Sequence, residues 1–280
     1  MYMGLAMFLF AAVDTQAKFL TSSLDPIQIV WTRQLGLLVA VFGFLVWKGH
    51  RILATAHPIL QITRGAVAVG SATLFITGIS FVPLADAIAV TFIAPFIVTV
   101  LGAVILREKV GFRRWAAVAI GFLGTLIVIR PGMGVVHPAV LLVMAAAALF
   151  SVRQIISRYL AADDRTITTV AYTALVGSAL LTIPLPFVWQ WPLGTLEIAL
   201  CCGIAILAGV AELLVIKALE VAEAVVVAPV HYSIMVWGTM YGWLVFHQLP
   251  DFWTWVGTAI IIATGVYTIH RERLAARKRA

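Results

Sequence analysis

The chain is a succession of apolar runs, each about long enough to cross a lipid bilayer as a helix and each closed by a Pro, a Gly or a charge. A spanning helix needs roughly 20 such residues. Of 280 residues, 62% are hydrophobic and only 11% are charged, where a soluble domain carries about a quarter charged. That balance excludes a water-soluble fold, and a disordered chain would be less apolar still. Two Cys are too few for a disulfide-stapled domain, and Cys201 and Cys202 are neighbours that cannot easily bridge. They are read as packing residues. The runs predict an all-α membrane protein with ten transmembrane helices near 3–20, 27–47, 59–80, 84–106, 113–130, 138–160, 167–188, 194–217, 222–246 and 252–269. Asp25-Pro26, His57-Pro58, Val82-Pro83, Arg130-Pro131-Gly132 and Leu249-Pro250-Asp251 are turn signals between them. No basic stretch precedes Leu5–Val13, so the first run is expected to be a span, not a cleaved leader.

Positive charge sets the expected orientation. Fourteen Lys and Arg follow even-numbered runs, among them Lys48, Arg51, Arg107, Lys109, Arg113, Arg114 and the cluster from Arg271 to Arg279. Only Lys18 and Arg130 follow odd-numbered ones. This bias predicts a multi-pass inner-membrane protein with both termini in the cytoplasm. The net charge of +7 is then a topology signal, and no nucleic-acid partner is expected. Trp189, Trp191, Trp253 and Trp255 fall at the opposite face, as an aromatic belt would.

The sequence also resembles itself. At a shift of 140, Ala6, Leu9, Phe10, Lys18 and Leu20 recur as Ala146, Leu149, Phe150, Arg158 and Leu160. Ala85-Asp86-Ala87 recurs as Ala222-Glu223-Ala224. Two sets of five spans follow, and an odd number per set means that the second enters from the other side, a pattern found in transporters. Pro95 and Pro229 interrupt the fourth and ninth runs in corresponding places, where an unsatisfied carbonyl needs a partner or a water-lined cavity.

Ionisable groups inside the runs are the candidate functional residues, because a charge in hydrocarbon costs about 2.5–3.5 kcal/mol on insertion scales. Asp14 and Arg33 lie about 9 Å below the same face at 1.5 Å per residue and could pair, although Lys18 offers Asp14 another partner on its own helix. Arg153 and Glu212 lie at matching depths from the other face. Either these pairs lock helices together, or they line a cavity as gates or guides. Arg64 is expected to snorkel toward the interface, and Asp86 and Glu223 to begin helices. The ninth run carries Pro229, Ser233, Trp237 and Tyr241 along one face, with His231 on another; aromatic rings with polar tips suit an amphipathic ligand.

With these residues in view, the chain resembles the drug/metabolite transporter superfamily, in its EamA-domain group. The resemblance is strongest from Phe81 to Gly132, through Pro83-Leu84-Ala85-Asp86-Ala87, Ala94-Pro95, Glu108, Gly111, Arg113-Arg114-Trp115, Gly121-Phe122-Leu123-Gly124 and Arg130-Pro131-Gly132. The second half follows it through Ala222-Glu223-Ala224, Gly257 and Gly265, with Gln248 where the first half has Glu108. The resemblance implies two inverted five-helix repeats, 1–132 and 138–270, ahead of a basic tail at 271–280. It implies alternating access around a central cavity walled by helices 1–4 and 6–9. Members export amino acids, aromatic ones included, while others import S-adenosylmethionine or move nucleotide sugars.

The expected activity is secondary active export of small amphipathic metabolites, amino acids first. The substrate would rest against Phe10, Asp14, Arg33, Phe75, Thr91, Pro95, Gln154, His231, Trp237 and Tyr241, with Asp14–Arg33 and Arg153–Glu212 as gates. A proton-coupled exporter of organic cations, binding through Asp14, is the alternative. A membrane enzyme is disfavoured, since His50, His57, His137, His231, His247 and His270 are scattered and no HExxH or paired-Cys spacing occurs. No cofactor or metal is expected. The expected partners are a small-molecule substrate and the lipid bilayer, and the expected state is a monomer, with a dimer as the alternative.

Overall fold

Asp25 shows how the sequence punctuates the helices. Its carboxylate accepts a hydrogen bond of 2.8 Å from the Ile27 amide, and Pro26 occupies the first helical position, where its missing N–H is no loss. The computed structural model describes residues 1–105, 107, 111–130, 137–191, 194–221 and 230–277. The helices are α1 (Tyr2–Leu20), α2 (Pro26–Lys48), α3 (Pro58–Ile79), α4 (Leu84–Thr91), α5 (Ala94–Ile105), α6 (Phe112–Ile129) and α7 (Val140–Leu160). They continue as α8 (Thr166–Thr182), α9 (Leu185–Val188), α10 (Thr195–Val221), α11 (Ser233–Phe246) and α12 (Phe252–Arg277), with one 3₁₀ turn at His50–Leu53. No strand occurs among the described residues. Pro229, the Ala222-Glu223-Ala224 run, Glu108, Pro131, Gly132 and residues 278–280 lie outside the described residues.

Six of the described segments are long and apolar enough to cross a membrane, the α4–α5 pair counting as one, and four shorter apolar helices accompany them. Val46, Trp47, Ile59, Phe112 and Phe187 are each more than three-quarters exposed. Large apolar side chains on so much of the outside suit lipid rather than water. This is a multi-pass membrane protein.

Three boundaries depart from the expected runs. The fourth splits at Phe92–Ile93, because Pro95 has no N–H to offer the Thr91 carbonyl and its ring crowds that turn. The Ser151 hydroxyl of α7, 2.7 Å from the Ala147 carbonyl of its own helix, also lies 3.2 Å from the Ala94 carbonyl at the start of α5. The seventh stops at Thr182 rather than running on to 188, for Pro184 breaks it and leaves α9 as a short separate turn. The last helix continues to Arg277, through a stretch rich in Arg, Leu and Ala that favours helix even outside an apolar setting.

Helix packing has a two-fold pattern. α1 lies along α10 and α3 along α7; α2 crosses α10 and α3 crosses α8. α1 packs on α11 as α7 packs on the α4–α5 pair, while α2 meets α8, α4 meets α11 and α6 meets α12. Exchange each helix for its counterpart five spans along, and the same pairings return. The correspondence holds for single residues. Gly36 meets Ala205, and Gly65 meets Val176, each residue being 140 positions from its counterpart. A Cβ on Gly36 would stand 1.6 Å from the Ala205 carbonyl oxygen, so α2 and α10 touch backbone to backbone. Gly124 and Gly257 meet in the same way where α6 crosses α12. The main core holds Leu20, Ile29, Ile76, Leu84, Ile88 and Ile204, all buried.

Candidate functional site

The charges within the helices gather on the inside. Asp14 on α1 is buried, and Arg33 on α2 brings its Nη1 to 3.6 Å from the Asp14 carboxylate. The Arg33 guanidinium also lies 5.6 Å above the Phe10 ring, one turn before Asp14. This is a half-buried ion pair with a cation–π contact on one side. Lys18 takes no part in it. Its ammonium donates to the Val82 carbonyl at 2.5 Å and sits 5.4 Å over the Phe246 ring, so Asp14 has Arg33 as its partner.

The second half repeats the parts but not the pairing. Arg153 on α7 lies 4.6 Å over the Phe150 ring, and its Nε is buried without a hydrogen-bond partner. The Glu212, Arg33 and Arg64 charges act on it, and Arg153 acts in turn on His231 of the segment leading into α11. No salt bridge joins Arg153 to Glu212 among the described residues; the two charges stand farther apart than the sequence suggests.

Arg64 departs from its expected role. It does not reach toward the interface but donates from Nε to Ser157 Oγ at 2.7 Å and from Nη1 to Thr173 Oγ1, tying α3 to α7 and α8. These partners on α7 and α8 replace the expected snorkelling.

The aromatic wall has a partner the sequence reading missed. Phe8 on α1 meets Trp237 edge-on at 5.1 Å and Tyr241 at 5.6 Å. The Trp237 indole N–H and the Ser233 hydroxyl are buried with no hydrogen-bond partner. Phe75 packs against the main core, Gln154 is half-buried beside Arg153, and Thr91 and Pro95 belong to the α4–α5 break, where the Thr91 hydroxyl donates to the Ile88 carbonyl.

Each face of the protein carries its own polar ties. At the end where α1 meets α2, Gln28 and Gln190 exchange two hydrogen bonds of 2.7 and 2.8 Å, and Arg130 is bonded to Asp251. Trp31, Trp189 and Trp191 stack edge to face there. At the other end, Thr55 and Gln61 both donate to Asp164 at 2.6 Å, and His57 stands 3.0 Å from Asp163. This latch joins the α2–α3 connection to the α7–α8 connection. His57, expected only as part of the His57-Pro58 turn signal, is one of its members.

An apolar groove of about 310 Å³ at the α2–α10 crossing opens among exposed Val39 and Ile206 on the outer surface and holds no charge. The chemistry lies in the interior cluster.

Comparison with known proteins follows the same division into halves. The model of the EamA-like transporter family matches residues 1–130 and again 137–269. The chain belongs to that family. A Rickettsia bellii protein named an S-adenosylmethionine uptake transporter is 27% identical, covering 99% of this chain and 96% of its own. A Vibrio cholerae riboflavin transporter is 29% identical over 86% of this chain and 82% of its own. A crystal structure 17% identical matches with a TM-score of 0.64 over 98% of this chain and 96% of the other, a likeness of fold. As an EamA-family protein the chain is a transporter of small molecules. Those relatives bear the names of S-adenosylmethionine and riboflavin transport, and the expected likeness to aromatic-amino-acid exporters gains nothing from them.

Proposed function

We propose that the chain is a secondary active transporter that carries a small, ring-bearing amphipathic metabolite by alternating access. In this reading the two family units face opposite ways across an inner membrane, with both termini in the cytoplasm. The Thr55–Asp164 latch then closes the cytoplasmic end, and the Gln28–Gln190 and Arg130–Asp251 ties stand at the other. The single observation that carries the reading is the interior charge cluster of Asp14, Arg33, Arg153 and Glu212. Lipid-facing charge has no solvation, so a membrane protein keeps such groups for an internal polar path.

The substrate class is broader than the amino acids suggested by sequence. S-adenosylmethionine and riboflavin, carried by relatives according to their names, both join a flat ring system to a polar chain. Phe8, Trp237 and Tyr241 supply rings for the first part, and the cluster supplies charge for the second. The alternative in which Asp14 by itself binds an organic cation loses ground, because that carboxylate is already matched by Arg33.

The test is counterflow in proteoliposomes with labelled S-adenosylmethionine, riboflavin and a set of amino acids. Saturable exchange of a ring-bearing metabolite is expected. Flux that stays linear and unsaturated for every compound overturns the reading.

A further inference from the structure

We propose that the Arg153 guanidinium, seated over Phe150, binds a carboxylate of the transported metabolite. The proposal rests on the transporter reading above and names the chemistry of one subsite within it.

The two halves differ in their anion and in the source of their cation: the position matching Arg33 is Thr173, while Arg153 lies three residues after Phe150 on the same helix and matches Val13. In the first, three groups make a complete unit: the Phe10 ring, the Arg33 guanidinium above it at 5.6 Å, and the Asp14 carboxylate 3.6 Å from the guanidinium. Shifted by 140 positions, Phe10 becomes Phe150, and a guanidinium again lies over the ring, at 4.6 Å, supplied by Arg153. Asp14 becomes Gln154, an uncharged amide. The second unit therefore has its ring and its cation but no anion.

Neighbouring groups do not fill the gap. Glu212 is within electrostatic range, but no salt bridge joins it to Arg153 among the described residues, and its field is shared with Arg64. Arg33 and Arg64 repel the Arg153 charge, and His231 offers no anion. The buried Arg153 Nε has no acceptor. An unmet buried donor is costly, and a carboxylate meets a guanidinium through two parallel hydrogen bonds. A substrate carboxylate would give Arg153 the anion that Arg33 finds in Asp14. Charge-assisted hydrogen bonds of this kind are worth roughly a tenfold to hundredfold difference in affinity.

The experiment measures ligand-induced thermal stabilisation of the purified full chain, beside counterflow. Each carboxylate-bearing probe is paired with a form lacking that group: S-adenosylmethionine with its decarboxylated analogue, and phenylalanine with its amide. At least one carboxylate probe is expected to bind about tenfold or more tightly than its pair. Arg153→Gln removes that preference. Arg153→Lys, which keeps the charge but loses the paired guanidinium donors, is expected to weaken it strongly, so one variant remains informative if the other does not fold. Retention of the preference in either folded variant, or indifference of the native protein to the carboxylate in both pairs, overturns the proposal. Saturable riboflavin flux together with that indifference would leave the transporter reading standing and remove only this subsite.

Discussion

Arg33 crosses from α2 to stand 3.6 Å from the buried carboxylate of Asp14 on α1, and the Phe10 ring flanks the same guanidinium. Removing one member leaves the other as an uncompensated charge in the membrane interior. Asp14→Asn is expected to lower stability by about 1–3 kcal/mol, between the values for exposed and fully buried pairs. Arg33→Gln should do the same, and the double variant should recover much of the loss. A thermal-melting double-mutant cycle reads this directly; additive losses would show that the two side chains are not coupled.

The latch between the α2–α3 and α7–α8 connections converges on Asp164, which accepts from both Thr55 and Gln61. Asp164→Ala deletes both acceptor contacts at once and should shift the protein toward a state open at that end. Spin labels at exposed Ile59 and Tyr159, with Cys201 and Cys202 replaced by Ala, should then report a longer or broader distance distribution than in the parent. An unchanged distribution would mean that the latch does not set the conformational balance.

Asp251 gives a pH dependence of known sign. Partial burial alone would raise its carboxyl, but hydrogen bonds from Thr254 and the Arg130 guanidinium outweigh that and hold it below the ordinary carboxylate value. The folded form therefore binds its proton less readily than the unfolded chain. Its stabilising contribution is complete above the unfolded value of about 4 and disappears as pH falls through the lower folded value. Because the carboxylate is half-exposed, the effect is small, at most about 1 kcal/mol. The melting difference between the native protein and Asp251→Asn should be constant near neutrality and shrink below about pH 4. A difference that persists unchanged into strong acid contradicts this.

Much of this was legible in the sequence, and the gaps have physical causes. Apolar length and positive charge reveal spans, because the bilayer imposes them one helix at a time. The 140-residue shift pointed to Phe10 and Phe150, whose rings both lie beneath guanidinium groups. Partner choice was not legible. Arg64 and Lys18 have long side chains, and whether these turn to the interface or to Ser157, Thr173 and Val82 depends on neighbours distant in sequence. The Pro184 break followed from a residue in plain view, yet the apolar run continues past it and hides the stop. The latch was hidden because Thr55, Gln61 and Asp164 are ordinary loop and helix-end polar residues until the two connections meet.

The close approach of α2 and α10 has a signal in the sequence. Gly36 and Ala40 on α2, and Ala205 and Gly209 on α10, are small residues spaced by four, the pattern that lets membrane helices approach closely. In the structure a Cβ at Gly36 would fall 1.6 Å from the Ala205 carbonyl oxygen, and that oxygen belongs to a backbone that cannot rotate aside. Gly36→Ala must therefore push α2 and α10 apart along their crossing. Gly43, on the same helix, has open space where its Cβ would go. Gly43→Ala is thus the matched control, and relief of glycine's backbone entropy should leave it neutral or up to about 1 kcal/mol more stable. Melting of the purified protein should fall clearly for Gly36→Ala alone. Equal melting temperatures for the two variants would mean that α2 and α10 do not meet at Gly36.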